Sequence, residues 1–220
     1  MTKKPRIRAI LSDWGRVVVD FDNSRTAAAL SPLTHTDDGH IAFRPWEIQP
    51  IMFGELREIF DAYMRGHLTT AGYRATMKRV LRLKCDDAAF DAAFADVFTP
   101  NEPIIALWKR FRAMGVKMVA ASNVEELRHA KLREMGIHDL FDAHCLSYQV
   151  GVGKPDPVFF HKAWDMTYLN PPEILFVDDH EEFVEVARSQ LITGFTYDIK
   201  DHAAFERFLE GYEIAPYQLG

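Results

Sequence analysis

Five short stretches of the chain are apolar without a polar alternation: RIRAILS at 6–12, VKMVAAS at 116–122, AHCLSY at 143–148, ILFVD at 174–178 and ITGFTY at 192–197. Strands covered on both faces read this way, because neither set of alternate side chains meets water. Between them the apolar residues recur at helical spacing. Ile105, Leu107, Trp108 and Phe111 predict a helix over 103–114, Leu127 and Leu132 one over 124–135, and two more follow over 156–166 and 181–191. Gly115 and Gly136 stand where helix C-termini turn. Strands alternating with helices of this length predict βαβ units, hence an α/β chain with a doubly wound parallel sheet.

From about Asn23 to Phe98 the alternation stops. Apolar residues fall there in helical sets: Phe53, Leu56, Phe60 and Met64, then Tyr73, Met77 and Leu81, then Phe90, Phe94 and Val97. This predicts a small all-helical unit inserted after the first strand, its aromatic residues forming a core of their own. The polar run THTDDGH at 34–40 contains metal-ligand residue types but reads as a loop of turn formers.

At 220 residues and 48% hydrophobic content, the chain suits one such domain with an insertion. Its formal charge of −6 argues against a nucleic-acid surface and leaves a small molecule as the expected partner. No apolar run approaches a membrane span, and the basic opening MTKKPRIR lacks a hydrophobic stretch, so no membrane association and a cytoplasmic location are expected. Cys85 and Cys145 are isolated and read as free thiols.

The polar residues at strand ends carry the chemistry. The first strand ends in Asp13, the strand near 120 in Ser122 and Asn123, and the strand near 176 in Asp178 and Asp179. GVGKPDP at 151–157 delivers Lys154 just after the strand ending near Tyr148. Ligands of open parallel sheets bind outside the carboxyl ends of the strands. A carboxylate in AILSDWGRVVVD, directly after a buried run, needs a counter-charge. Lys154 could supply one, and a set of oxygen ligands suits Mg²⁺.

Asp13, then Ser122-Asn123, then Lys154-Pro155-Asp156-Pro157, then Phe176-Val177-Asp178-Asp179 resembles the four-motif signature of the haloacid dehalogenase (HAD) superfamily. The resemblance implies a Rossmann-like core from residues 1–22 and 99–220 and a helical C1 cap from 23–98. DWGRVVVDFD and YMRGHLTTAGYRATMKRVL further resemble a branch related to bacterial α-D-glucose-1-phosphate phosphatase. It implies a Mg²⁺-dependent hydrolase of a small phosphorylated substrate, with Asp13 as nucleophile forming an aspartyl-phosphate. Ser122, the Asn123 amide and Lys154 would bind the substrate, Ser122 and Lys154 also serving the chemistry; apart from the resemblance, Arg16 is a candidate for contact with phosphate or substrate, with packing at the surface as the alternative. Asp13, the carbonyl of Gly15, Asp179 and Asp178 would hold the metal. Oligomeric state is not addressed by this pattern.

The chain departs from the family pattern in one place. Many members carry an acid two residues after the nucleophile; here that residue is Gly15. The departure keeps alive a metal-free 2-haloacid dehalogenase, and a catalytically weak ligand-binding member, as alternatives. Phe183 stands where some relatives carry a polar residue, and His180 is a candidate surrogate acid.

Overall fold

The computed structural model describes residues 4–217, so the first and last three residues of the chain, including part of the basic opening, lie outside the description. In chain order the elements begin with β1 (Arg6–Ile7), β2 (Ala9–Ser12) and β3 (Val19–Phe21). Helices α1 (Asn23–Leu30), α2 (Pro45–Pro50), α3 (Arg57–Met64), α4 (Thr70–Val80) and α5 (Asp87–Ala95) follow. Then come β4 (Phe98–Pro100), α6 (Glu102–Ala113), β5 (Lys117–Ser122), α7 (Glu126–Glu134), β6 (Ala143–Leu146), α8 (Ser147–Val150) and α9 (Pro157–Asp165). The chain ends with β7 (Ile174–Asp178), α10 (Glu181–Ser189), β8 (Thr193–Thr196), α11 (His202–Leu209) and β9 (Glu213–Ile214).

The main sheet is five-stranded and parallel, in the order β6-β5-β2-β7-β8. Its unbroken apolar runs follow from cover on both faces. Ile10, Met118, Ala120, Leu175 and Val177 pack on one side under Trp108 and Phe111 of α6 and Phe205 of α11. Leu11, Val119, Ala121 and Phe176 pack on the other under Phe159 and Phe160 of α9 and Val184 of α10. The fold is therefore α/β, doubly wound and Rossmann-like. Because β2 pairs with β5 on one side and β7 on the other, the chain's direction of winding reverses at β2. The crevice this opens lies at the carboxyl ends of these three strands.

The helices α1 to α5 surround a separate cluster containing Leu30, Met52, Tyr63, Tyr73, Met77, Phe90 and Phe94, and make a small helical cap. Its two connections to the sheet pair as an antiparallel ribbon, Val19 opposite Pro100 and Phe21 opposite Phe98. That pairing is a strand that helical spacing across 23–98 does not foresee. Pro50, which lacks an N–H, ends α2, and residues Ile51–Glu55 continue as a π-helical turn.

Two apolar runs are shorter strands than their composition predicts. The run 6–12 divides at Arg8, where the chain passes from pairing with β9 to pairing with β5 and β7. The run 143–148 stays extended only to Leu146, because Ser147 opens a helical turn. The Ser147 hydroxyl there accepts from the Val124 N–H (3.0 Å) and donates to the Met64 carbonyl (2.5 Å).

Candidate active site

Asp13 is placed by β2. The Asp13 N–H extends the sheet by donating to the Val177 carbonyl (2.9 Å), which holds the residue at the strand's end with 8% of its surface exposed. Ser122 ends β5, Asp178 ends β7, and both are buried. Lys154 arrives from the loop after α8. That loop is pinned by Asn123, whose side chain donates to the Lys154 carbonyl (2.8 Å) and accepts from the Lys154 N–H (2.8 Å). Gly153 is required at this contact, since a Cβ there would lie 2.6 Å from Asn123 Oδ1. The side chain of Asn123 is thus committed to the loop.

The Lys154 ammonium, 4% exposed as a residue, sits 2.5 Å from Asp178 Oδ2 and 3.0 Å from Asp13 Oδ1. It also lies 5.6 Å from the centre of the Phe176 ring and 5.5 Å from that of Phe183. The Phe183 ring walls the lysine in. Asp178 has both oxygens engaged, Oδ2 by Lys154 and Oδ1 by the His180 N–H (2.9 Å). Asp13 Oδ1 is buried, and although the ammonium is near, no donor is aligned with it as a hydrogen bond.

Asp13, Asp178 and Asp179 can each offer a carboxylate oxygen within 4.8 Å of the others. One ammonium cannot neutralise three carboxylates, and the titration of the group reflects it. Burial raises the pKa of Asp178, against the pull of Lys154, and the charge of Asp13 adds to the rise. Burial likewise raises Asp179, with Asp13 again adding to it. Burial pulls Lys154 down, but Asp13 and Asp178 outweigh it and leave its pKa raised. A crowded, oxygen-only donor set with an orphaned buried oxygen fits a hard divalent cation.

Position 15 has no side chain, and the space is not empty. A Cβ there would meet the Phe21 ring at 3.1 Å. The turn that carries it is tied by the Arg16 N–H to the Val19 carbonyl (2.6 Å) and clamped by Asn101, whose side chain donates to the Val17 carbonyl (2.6 Å) and whose N–H donates to that of Val18 (2.9 Å). Arg16 adopts a left-handed φ of 54° with its guanidinium 5.3 Å from the centre of the Phe21 ring. His180 is largely exposed, 3.8 Å from Asp179 Oδ2 and ring-to-ring with Phe183.

Sequence reasoning misses Asn101, and it names the stretches that contain Phe21 and Phe176 without foreseeing that Phe21 packs on Gly15 or that Phe176 lies beside Lys154. All three roles depend on pairings across the fold.

Residues 17–189 match the haloacid dehalogenase-like hydrolase family. The chain belongs to that family. Among family members of known structure, a HAD family enzyme of Bacteroides thetaiotaomicron superposes with a TM-score of 0.77 at 20% identity, covering 92% of this chain and 99% of that one. An L-2-haloacid dehalogenase of Xanthobacter autotrophicus shares the fold at a TM-score of 0.60 and 21% identity, over 96% of this chain and 85% of that one. A glyceraldehyde 3-phosphate phosphatase of Methanopyrus kandleri is 28% identical over 134 residues, 58% of this chain and 57% of the relative. The matched segment thus spans little more than half the length of that relative. No helix among the described residues is long and apolar enough to cross a membrane.

Proposed function

We propose that this HAD-family hydrolase is a Mg²⁺-dependent phosphomonoesterase acting on a small phosphorylated metabolite, with sugar phosphates the first class to test. The observation that carries the reading is the meeting of Asp13, Asp178 and Asp179 around one buried lysine at the carboxyl edge of the sheet. The phosphatase from Methanopyrus kandleri supports it. So does the Bacteroides thetaiotaomicron enzyme, which has been crystallised with magnesium and inorganic phosphate.

In this reading the Asp13 carboxylate attacks phosphorus, forming an O–P bond as the bond to the leaving oxygen breaks. Water then attacks the aspartyl-phosphate, releasing inorganic phosphate and restoring the carboxylate. The Ser122 hydroxyl and the Asn123 amide hold phosphoryl oxygens, and Lys154 offsets charge on Asp13 and the phosphoryl group. Asp13, the Gly15 carbonyl and Asp179 would hold Mg²⁺, with Asp178 assisting. The ion supplies charge neutralisation, which lets a phosphate dianion approach a carboxylate cluster.

The missing side chain at position 15 and the likeness to the Xanthobacter autotrophicus fold favour a second reading, displacement of halide from a 2-haloacid by Asp13. The cluster weighs against it, because Asp179 would repel an anionic haloacid. p-Nitrophenyl phosphate and glucose 1-phosphate assayed with Mg²⁺ and with EDTA decide the matter. Metal-dependent phosphate release is expected, and Asp13→Asn should abolish it while leaving the circular dichroism spectrum intact. Chloride release from 2-chloropropionate without phosphatase activity would replace this reading with the second. Ligand stabilisation without turnover would leave only a binding protein.

A further inference from the structure

Beside the carboxylate cluster, on the β8 side, lies a recess of about 340 Å³ lined by Arg16, Asp179 and the segment from Thr196 to Lys200. Two of its walls are cations from distant parts of the chain: Arg16 on the turn after β2, and Lys200 on the turn between β8 and α11. Neither makes an ion pair among the described residues. The acids in the same lining have other commitments. Asp179 belongs to the cluster with Asp13 and Asp178, and the Asp198 carboxylate accepts the Lys200 N–H (2.9 Å), shaping the turn that carries the lysine. The Thr196 hydroxyl is held by Glu181, and the Tyr197 hydroxyl by the Asn101 side chain (3.0 Å) and the His202 ring (3.0 Å). The recess therefore has a fixed floor.

Arg16 is the informative member. Its φ of 54° is a conformation that glycine adopts freely and an arginine adopts at a cost. The backbone there is held by the Val19 carbonyl, and the guanidinium lies over the Phe21 ring beside the recess. Backbone strain of this kind concentrates at ligand-binding and active sites, and here it presents a long cationic side chain to the recess beside Asp179.

We propose that this recess is a subsite for a second anionic group on the substrate, a carboxylate or a further phosphate, held between the Arg16 guanidinium and the Lys200 ammonium. The inference rests on the phosphatase reading and narrows it: the substrate carries a remote negative charge in addition to the phosphoryl group that Asp13 attacks. Charge-assisted hydrogen bonds of this kind are the strong ones, and a planar guanidinium suits either anion. Discrimination of about ten- to a hundredfold is the expected scale for one such contact.

The test compares kcat/KM within matched pairs, using the full chain with Mg²⁺. Phosphoglycolate against ethyl phosphate reads a carboxylate, and propane-1,3-diol bisphosphate against the corresponding monophosphate reads a phosphate. At least one pair should favour the doubly anionic member by tenfold or more, and the pair that does so identifies the anion. Arg16→Gly and Lys200→Gln should each reduce that ratio several-fold, mainly through KM, and together bring it near one. Arg16→Gly should at the same time raise the thermal midpoint or leave it unchanged, so that lost preference cannot be put down to misfolding. Equal kcat/KM within both pairs, or a preference that survives in both variants, overturns the subsite and leaves the phosphatase reading standing. Failure to hydrolyse any of these esters or p-nitrophenyl phosphate overturns both.

Discussion

A Cβ at position 15 would stand 3.1 Å from the Phe21 ring and 3.8 Å from Asp13 Oδ2, a distance at which the ring must give by a few tenths of an ångström. Glycine at this position therefore has a packing partner, and a side chain cannot be restored there without moving it. General acid–base groups contribute about 10²- to 10⁴-fold to reactions that need them. Gly15→Asp is accordingly expected to raise kcat/KM on alkyl phosphates, whose leaving groups need a proton, more than on aryl phosphates. The gain should be larger in the double variant Gly15→Asp, Phe21→Leu, where the ring no longer fills the space. Steady-state assays of the two ester classes check this, and equal or lower rates on all esters in both variants would remove the account of the glycine. The cluster of three acids could be anticipated from residues at strand ends, since each ends its own apolar run. The contact of Phe176 and Phe183 with Lys154 could not, since both positions stand out in the sequence but neither one's neighbours in sequence place a lysine against its ring.

At the level of elements, α7 is where the helical cap and the sheet meet. Arg128 of α7 reaches out of the core into the cap's aromatic cluster, its guanidinium 4.8 Å from the Phe94 ring centre, 5.8 Å from that of Phe53 and 5.9 Å from that of Phe60. It donates to the Asn23 side chain (2.7 Å) and lies 3.4 Å from the carboxylate of Glu125, which is fully buried. The same Glu125 side chain accepts from the Arg128 N–H and so starts α7. Burial pushes the Glu125 pKa up to about 7, although Arg128 opposes the shift. Between the ordinary value of 4.5 and about 7 the folded chain holds a proton that the unfolded chain has released. Its contribution is fully present below pH 4.5 and is lost as pH rises through 7. His129 runs the other way. Burial lowers its pKa to about 4, with His138 and His144 assisting, so its contribution is present above pH 6.5 and lost as pH falls toward 4. Comparing Glu125→Gln with the parent at each pH cancels the histidines. The stability difference should move in favour of the variant by about 3 kcal/mol between pH 4.5 and 7, at about 1.4 kcal/mol per pKa unit. Urea titrations across that range measure it; a difference independent of pH would mean that Glu125 is ionised throughout.

For the whole molecule, the contacts between cap and sheet predict a single cooperative unit. Besides Arg128, the Leu127 N–H donates to the Tyr63 hydroxyl (3.3 Å), Thr70 bonds Glu126, and the His67 ring meets the Gly151 carbonyl (3.2 Å). Gly66 packs its backbone directly on Tyr148, where a Cβ would lie 2.1 Å from the carbonyl oxygen. Above pH 7, where Glu125 is ionised, Arg128→Ala leaves a buried carboxylate uncompensated and is expected to cost about 3–5 kcal/mol. In native-state hydrogen exchange, amides of α3 to α5 should match those of β2 in the parent and open at lower free energy in the variant. Matching protection in both proteins would show that the cap's attachment does not depend on this arginine.

Periodicity along the chain determined the alternation of strands and helices, the helical insertion after the first strand, and the placing of Asp13, Ser122, Asp178 and Asp179 at strand ends, because these are properties of neighbours in sequence. Folding alone decided which ends stand together. With β5 and β7 flanking β2, acids 165 and 166 positions beyond Asp13 come within reach of it, and a lysine 141 positions away becomes their shared counter-ion. The same sheet order sets Lys200 beside Arg16 and the Phe21 ring against Gly15. Contacts of this range are chosen by the packing of whole elements, whose energy is spread over both faces of the sheet and is not written in any one local pattern.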